Sequence, residues 1–232
     1  MERRVGIVGA GISGLMACKY VAEKGFHPIV FEAHGSIGGA WRSTLETTLL
    51  QTPRDAFQFS DFPWPPSVEE EFPNSAQVNE YVRSYTEHFG LLRYIKFNSR
   101  VVAVDYVGPS DPALRAWEEW GGTGEAFKSA GKWHITVQEA EEEAHPKSSK
   151  VVYEVEFAIL CVGRFSDVPN VPEFGAGKGP EAFDGEVIHA KDYSAMDNAA
   201  AFQYIKGKRV TVVGFQKSAL DLAAECAAAN GK

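Results

Sequence analysis

The residues with the clearest chemical potential are three glycines near the start of the chain, in the stretch Gly9-Ala10-Gly11-Ile12-Ser13-Gly14, and a later carboxylate, Glu32. In a G-x-G-x-x-G turn, the first glycine permits the tight turn, the second lets backbone approach a pyrophosphate, and the third lets a helix pack closely on a strand. Free N–H groups at the helix N-terminus would hold the phosphates. A carboxylate at the end of the next strand can accept both ribose hydroxyls and disfavours a 2′-phosphate. The pattern therefore predicts a site for the adenosine half of FAD or NAD.

These residues need a strand before them, a helix after them and a second strand that ends at Glu32. Val5, Ile7 and Val8 form a short apolar run typical of a buried parallel strand. The residues after the turn predict a helix that ends at Gly25, and 29–31 predicts the second strand. Glycine triplets alone occur in many loops, but here all five parts stand in the required order. The alternative is a βαβ unit that binds no ligand.

A second group of candidates follows Glu32 directly, in the stretch Gly38-Gly39-Ala40-Trp41-Arg42. Taken alone, this stretch is typical of a loop with one buried tryptophan. Placed after a dinucleotide unit, it favours a further diphosphate contact, in which Gly39, Ala40 and Trp41 supply backbone and Arg42 a charge-assisted donor.

The last part of the printed sequence, over 208–230, predicts a second strand, turn and helix. In this turn Gly214 keeps the first glycine position, Gln216 takes the second and Ala219 the third. Alanine is tolerated at the third position, but Gln216 puts a side chain where a pyrophosphate would come closest. Ser218 and the helix N-terminus could still supply donors.

The segments between the two turns predict a scaffold. Gln51 to Pro66 is rich in proline and aromatic residues, which predicts a rigid loop rather than a regular helix or central strand. Ser75 to Gly90 predicts an amphipathic helix with Ser75 as its N-cap and Gly90 as its end. Trp133 to Val137 and Val151 to Val155 predict an antiparallel pair that crosses out of the main sheet. Phe157 to Gly163 predicts a continuous buried strand that returns to that sheet, with Gly163 beside the ligand.

Composition excludes several classes of function. The chain has 232 residues, 44% of them hydrophobic, and a net charge of −8, which argues against nucleic acid or an anionic membrane as a partner. Cys18, Cys161 and Cys226 stand singly in apolar segments, which excludes a disulfide framework or a zinc cluster and suits a reducing compartment. No run is long and apolar enough to span a bilayer, and Met1 leads into a strand rather than a signal peptide. We expect a cytoplasmic protein without a metal.

Several motifs together resemble the N-terminal part of the flavin-containing monooxygenases, most closely the plant members. They are G-A-G-I-S-G at 9–14, G-G-A-W-R at 38–42, F-S-D-F-P at 59–63 and F-D-G-E-V-I-H-A-K-D-Y at 183–193. The last one matches the family signature F-x-G-x-x-x-H-x-x-x-Y at each fixed position, including His189 and Tyr193. On spacing alone, His189 would be interpreted as a structural histidine.

The resemblance implies a flavoprotein with two nucleotide cofactors, a small-molecule substrate and O2. FAD would bind the first turn and NADPH the second, and a C4a-hydroperoxyflavin would oxygenate a soft nitrogen or sulfur nucleophile. In better-known members an asparagine that helps to hold the flavin stands eight residues before the phenylalanine of F-S-D-F-P. Gln51 takes that position here, with Thr52 beside it, and glutamine keeps the amide on a longer arm.

The implied architecture is α/β. Residues 1–165 would form a Rossmann-like FAD-binding domain, a parallel sheet with an antiparallel β crossover, and 166–232 a linker and the start of a second Rossmann-like, NADP-binding domain. Family members continue further, so we expect this chain to be truncated and inactive in oxygenation on its own. Two alternatives remain: a non-catalytic FAD-binding fragment, and another flavoprotein oxidoreductase such as a disulfide reductase, for which a paired-cysteine centre is lacking.

Overall fold

The computed structural model describes residues 3–45, 47–108, 131–139, 150–164, 169 and 171–231. By its internal contacts the chain divides into two compact units. The first unit comprises Met1–Gly39 and Val82–Gly163, and the second comprises Ala40–Tyr81 and Arg164–Lys232. The domain boundary expected at 165 stays a prediction.

The strands of the described segments are β1 (Arg4–Val8), β2 (His27–Phe31), β3 (Ile95–Lys96), β4 (Ser99–Val107), β5 (Lys132–Glu139), β6 (Lys150–Val155) and β7 (Phe157–Leu160). The helices are α1 (Ile12–Glu23), α2 (Arg54–Phe57), α3 (Ser75–His88), α4 (Ala190–Ser194), α5 (Asn198–Ile205) and α6 (Lys217–Asn230), with short 3-10 turns at Gly39–Ser43, Leu91–Tyr94 and Pro180–Ala182. No helix within these segments is long and apolar enough to cross a membrane.

The first unit is built on a parallel sheet with the strand order β3-β2-β1-β7. β1 lies in the interior and pairs in parallel with β2 on one side and β7 on the other. The apolar run at Val5, Ile7 and Val8 is buried there, as the sequence predicts. The mixed α/β class and the parallel sheet are confirmed.

A second, antiparallel sheet, β4-β5-β6, packs against the parallel sheet within the same unit. Its inward face places Ile135, Val137 and Val155 against Phe31. Gly6 lies at this contact, and a Cβ on Gly6 would lie 2.2 Å from Cδ1 of Ile135, so the Ile135 side chain would have to shift to accommodate it. The predicted antiparallel pair is therefore confirmed as β5 and β6, which pair from Trp133 with Val155 to Gln138 with Lys150.

The predicted strand over Phe157 to Gly163 is too long. β7 ends at Leu160, whose side chain is 63% exposed, and Val162 is 62% exposed, so the segment is not a continuous buried strand. The reason is its position at one edge of the parallel sheet, which a local apolar run does not reveal. Its return to the sheet beside β1 is correctly predicted.

Helix α3 shows where a local prediction fails by one residue. Oδ1 of Asn74 accepts the N–H of Gln77 at 3.0 Å, and Oε1 of Gln77 accepts the N–H of Asn74 at 2.9 Å. This reciprocal pair is a capping box with Asn74 as the N-cap, so the prediction of Ser75 was wrong. Gly90 has a φ of 60°, which suits the predicted end of the helix.

In the second unit, the proline-rich loop is rigidified by aromatic rings. The ring of Tyr81 stacks on Trp64 with centroids 4.0 Å apart and on Phe59 at 5.5 Å. The Tyr81 hydroxyl accepts the N–H of Phe59 at 2.9 Å and donates to the carbonyl of Phe62 at 2.5 Å. The loop contains one short helix, α2, and otherwise agrees with the sequence prediction.

The strand predicted before the second turn is absent from 208–215. Val213 is 92% exposed and Phe215 is 84% exposed. A strand needs hydrogen-bonded neighbours, and the described residues offer none here. The helix after the turn is confirmed as α6.

Candidate dinucleotide-binding sites

The first glycine turn joins β1 to α1 in a backbone conformation that requires Gly9. Its φ is +100°, and a Cβ there would lie 2.5 Å from the carbonyl oxygen of Cys161 at the end of β7. The N–H of Gly9 donates to the carbonyl of Phe31 at 2.8 Å. The turn is thus held between the ends of two neighbouring strands.

Gly14 is required for a different reason. A Cβ on Gly14 would lie 1.8 Å from the carbonyl oxygen of Gly9, so no larger residue fits where α1 passes over β1. This is the close packing of helix on strand that the third glycine predicts.

Gly11 is not required by the packing of the protein itself. Its backbone is extended, with φ −74° and ψ −177°, and a Cβ there would meet the Cα of Gly39 at 3.6 Å, an ordinary van der Waals distance. Gly11, Ile12 and Ser13 open α1, which has no acidic residue in its first turn. An anion at this helix end would meet free N–H groups and no carboxylate of that turn.

Besides its predicted role as an acceptor for ribose hydroxyls, Glu32 binds backbone amides of the protein itself. Its side chain is 6% exposed, its Oε2 accepts the N–H of Ala10 at 2.7 Å, and its Oε1 accepts the N–H of His34 at 3.0 Å. The carboxylate therefore fixes the turn from within. A carboxylate has about four acceptor sites, so ribose hydroxyls remain compatible with these two bonds.

Two further predicted residues lie beside the first turn. The N–H of Gly38 donates to the carbonyl of Ala10 at 3.2 Å, and Gly39 adopts a φ of +57°. Gly163 has a φ of +75° with no atom within 4 Å of an added Cβ, so it lines open space after β7. The first unit thus brings together the glycine turn, Glu32 and Gly39.

The motif does not predict Cys161 or His34 as neighbours of the turn. Cys161 lies there because β7 pairs with β1, and the order of strands cannot be read from a local pattern. Burial raises the pKa of the Cys161 thiol, which keeps it protonated and a poor nucleophile. His34 follows Glu32 by two residues, and this spacing could have indicated that the His34 N–H donates to the Glu32 carboxylate.

Ala40, Trp41 and Arg42 belong to the second unit, in the 3-10 turn Gly39–Ser43. The Trp41 carbonyl accepts a hydrogen bond from Nδ2 of Asn79 at 2.9 Å, and its ring contacts Phe57 edge-on at 6.0 Å. Trp41 and Arg42 line a cavity of about 510 Å³. Their contact with a diphosphate stays a prediction.

Gln51 and Thr52 are exposed in a bend that precedes α2. Their place over a flavin stays a prediction. His189 is the N-cap of α4, because its Nδ1 accepts the N–H of Lys191 at 3.1 Å. That contact gives His189 a structural role, and a cofactor contact for it stays a prediction.

The second turn keeps part of the geometry of the first. Gly214 has a φ of +144°, and a Cβ on it would lie 3.3 Å from the Cβ of Ala219, so alanine fills the third position closely. Gln216 is the N-cap residue of α6, but its side chain makes no capping hydrogen bond. Gln216 and Ser218 are both exposed at this helix end.

Comparison with known proteins finds matches over nearly the whole chain. A family model described as flavin-binding monooxygenase-like matches residues 2–232. A protein of Arabidopsis thaliana whose name assigns it to the flavin-containing monooxygenases is 42% identical over 228 residues, which are 98% of this chain and 48% of that protein. The chain therefore spans about half the length of that curated relative.

Solved structures share the fold. A flavin monooxygenase from Stenotrophomonas maltophilia superposes with a TM-score of 0.71 at 20% identity, over 99% of this chain and 56% of that one. A complex of OTEMO with FAD and NADP gives a TM-score of 0.67 at 20% identity, over 98% of this chain and 37% of that one.

Proposed function

The chain belongs to the flavin-binding monooxygenase-like family, and we propose that it provides the FAD site and the start of the NADPH site of an NADPH-dependent flavin monooxygenase. The observation that carries this proposal is Gly11. The fold has ordinary space for a Cβ at that position, so the glycine serves a ligand that must approach the backbone closely.

The first unit would hold the ADP part of FAD. Gly9 and Gly14 give the turn its shape, Gly11 leaves room for the pyrophosphate, and Glu32 accepts ribose hydroxyls while it holds Ala10 in place. Gly39 and Gly163 would border the same cofactor. When bound, flavin supplies the redox and oxygen chemistry, and the protein orients it and excludes water.

The second unit would contact NADPH through the turn at Gly214, Gln216 and Ser218. Arg42 would add a positive charge for a diphosphate, and Gln51 and Thr52 would be placed at the flavin. The substrate class would be a soft nitrogen or sulfur nucleophile, oxygenated with O2. We place the protein in a reducing compartment, the cytoplasm, because Cys18, Cys161 and Cys226 are free thiols.

Flavin retention tests the proposal directly. We expect the purified 232-residue chain, loaded with FAD and passed through a desalting column, to keep the flavin absorbance bands at close to one FAD per chain. Addition of NADPH under anaerobic conditions should shift those bands through binding, without rapid bleaching of the flavin. A chain that keeps flavin but shows no response to NADPH would favour a non-catalytic FAD-binding protein, and a chain that keeps none would refute the proposal.

A further inference from the structure

Helix α6 is held in the second unit with little apolar burial. No residue of α6 is fully buried, and Leu220 is 63% exposed. Leu222, Cys226 and Ala229 are partly buried against a small cluster that includes Tyr193 and Ile205. Because apolar burial is limited, polar contacts contribute a large share of what fixes this helix.

Three hydroxyl groups bind two carboxylates on one face of α6. The Thr47 hydroxyl donates to Oε1 of Glu225, and the Tyr193 hydroxyl donates to Oε2 of Glu225 at 3.0 Å. The Thr48 hydroxyl donates to Oδ2 of Asp221 at 2.9 Å. Asp221 and Glu225 are four residues apart, so they lie on the same face of the helix. We call these five residues the hydroxyl–carboxylate clamp.

Two of the three hydroxyl groups of the clamp belong to buried residues, whereas Thr47 is exposed. Tyr193 is 2% exposed and Thr48 is 7% exposed. Burial raises the pKa of Tyr193, and its hydrogen bond to Glu225 raises it further, so the hydroxyl stays protonated and acts as the donor. A hydrogen bond to a charged acceptor is stronger than a neutral one.

Tyr193 is the last residue of the signature at 183–193, and His189, one turn earlier, caps the helix α4 that carries it. These two of the four fixed positions of the signature therefore have connected structural roles. His189 starts α4, and Tyr193 connects α4 to α6.

We propose that the hydroxyl–carboxylate clamp positions α6 so that the turn Gly214–Ala219 is presented to the second dinucleotide. This inference rests on the proposed function. Asp221 is five residues from Gln216, about 7.5 Å along the helix axis, so a shift at the clamp moves the helix N-terminus directly. Since 208–215 form no strand among the described residues, the turn takes its position from the helix that follows it. Tyr193, Thr47, Thr48, Asp221 and Glu225 act as positioning residues.

The test compares Tyr193→Phe with a matched control in the 232-residue, FAD-loaded chain. Tyr193→Phe keeps the ring and removes the hydroxyl that binds Glu225. The control is Tyr204→Phe, which removes a hydroxyl that bonds to Glu186, a residue outside α6. We expect Tyr193→Phe to speed amide hydrogen exchange across 217–230 by about tenfold and to raise the Kd for NADPH by a similar factor. FAD stoichiometry and exchange across 12–23 should stay unchanged.

Conservative replacement separates positioning from general destabilisation. Glu225→Gln keeps one acceptor oxygen and should recover part of the NADPH affinity that Glu225→Ala loses. Unchanged exchange across 217–230 in Tyr193→Phe, or an equal effect of Tyr204→Phe, would overturn the clamp. Faster exchange with an unchanged NADPH Kd would overturn its positioning role. If the parent chain binds no NADPH, the proposed function fails, and the exchange measurement still decides whether the clamp holds α6.

Discussion

Gly11 and Gly14 are three residues apart, but their missing side chains serve different partners. Gly14 makes room for the carbonyl of Gly9, whereas Gly11 leaves space next to the Cα of Gly39. We predict that Gly11→Ala leaves the free energy of unfolding of the flavin-free chain nearly unchanged and weakens FAD binding by about tenfold, because its Cβ enters the pyrophosphate space. Gly11→Leu should abolish FAD retention. Urea unfolding and isothermal titration measure the two effects.

Gly14→Ala is the matched control for that prediction. Its Cβ would lie 1.8 Å from a backbone oxygen, so it should destabilise the flavin-free chain by about 1–3 kcal/mol or more. If Gly11→Leu binds FAD as tightly as the parent, the assignment of this turn to FAD is wrong.

Glu32 couples ligand binding to the stability of the empty turn. Glu32→Ala would leave the buried N–H of Ala10 and the partly buried N–H of His34 without their carboxylate acceptor. We predict a loss of about 1–3 kcal/mol in the free energy of unfolding without flavin, and weaker FAD binding in addition. Glu32→Gln keeps one acceptor oxygen, so its stability and FAD affinity should lie between those of the parent and Glu32→Ala. Equal stability of the parent and Glu32→Ala without flavin would show that these hydrogen bonds contribute nothing to the turn.

At the scale of elements, the second turn differs from the first at one position. Gln216 is exposed at the start of α6, where the first turn has Gly11. We predict that Gln216→Gly binds NADPH more tightly than the parent by about three- to tenfold, since it removes a side chain from the pyrophosphate approach. Fluorescence titration with NADPH measures the change. Unchanged or weaker affinity would mean that the Gln216 side chain is accommodated or used by the nucleotide.

Glu156 joins β1 to β5 at the junction of the two sheets. Its Oε2 accepts the N–H of Arg4 at 2.6 Å, and its Oε1 accepts a hydrogen bond from Lys132. Burial raises the pKa of Glu156, but the hydrogen bonds from Lys132 and Arg4 lower it by more, so the net pKa lies below its usual value. A carboxyl whose pKa is lower in the folded state stabilises the fold above its unfolded pKa and loses that contribution as the pH falls through its folded pKa.

We therefore predict that stability declines more steeply with acid in the parent than in Glu156→Gln, in the window below about pH 4.5. Urea unfolding at a series of pH values measures the two slopes. Glu154→Gln is a suitable control, because that carboxylate lies 4.0 Å from Lys132 and is half exposed. Parallel pH profiles for the parent and Glu156→Gln would contradict the prediction.

For the whole molecule, local sequence patterns correctly predicted the elements that neighbouring residues in the sequence determine. β1, the glycine turn and α1 follow from neighbouring residues, as does the end of α3 at Gly90. Asn74 and Ser75 are both good N-caps, so the choice between them depended on the partner at Gln77. The sequence also indicated the first-turn site, but not that Glu32 would bind two amides of the protein itself.

Features that depend on distant neighbours were not predictable. The exposure of Leu160 follows from the edge position of β7, and the missing strand at 208–215 follows from the lack of a pairing partner in the described chain. The clamp between Thr47 and Glu225 joins residues far apart in sequence, and no spacing rule points to it.

We predict that the 232-residue chain retains FAD but is not reduced rapidly by NADPH. Val213 and Phe215 remain in water, and each large apolar side chain left exposed forgoes roughly 1.5–3 kcal/mol of stabilisation. The second turn is therefore supported from the helix side alone. Anaerobic stopped-flow mixing of the FAD-loaded chain with NADPH measures the rate of flavin bleaching. Rapid bleaching, followed by reoxidation through an oxygenated flavin spectrum, would show that these residues form a complete catalyst.

The position of β1 between β2 and β7 also determines how long β1 lacks one of its partner strands during synthesis on the ribosome. β2 leaves the ribosome soon after β1, but β7 follows about 150 residues later. At about 5–20 residues per second, one edge of β1 stays unpaired for about eight to thirty seconds before its partner strand is synthesised. During that time the nascent chain presents an unpaired, apolar strand edge, which is the kind of surface that chaperones bind and that leads to aggregation. Lower growth temperature and added chaperones should therefore raise the yield of soluble chain.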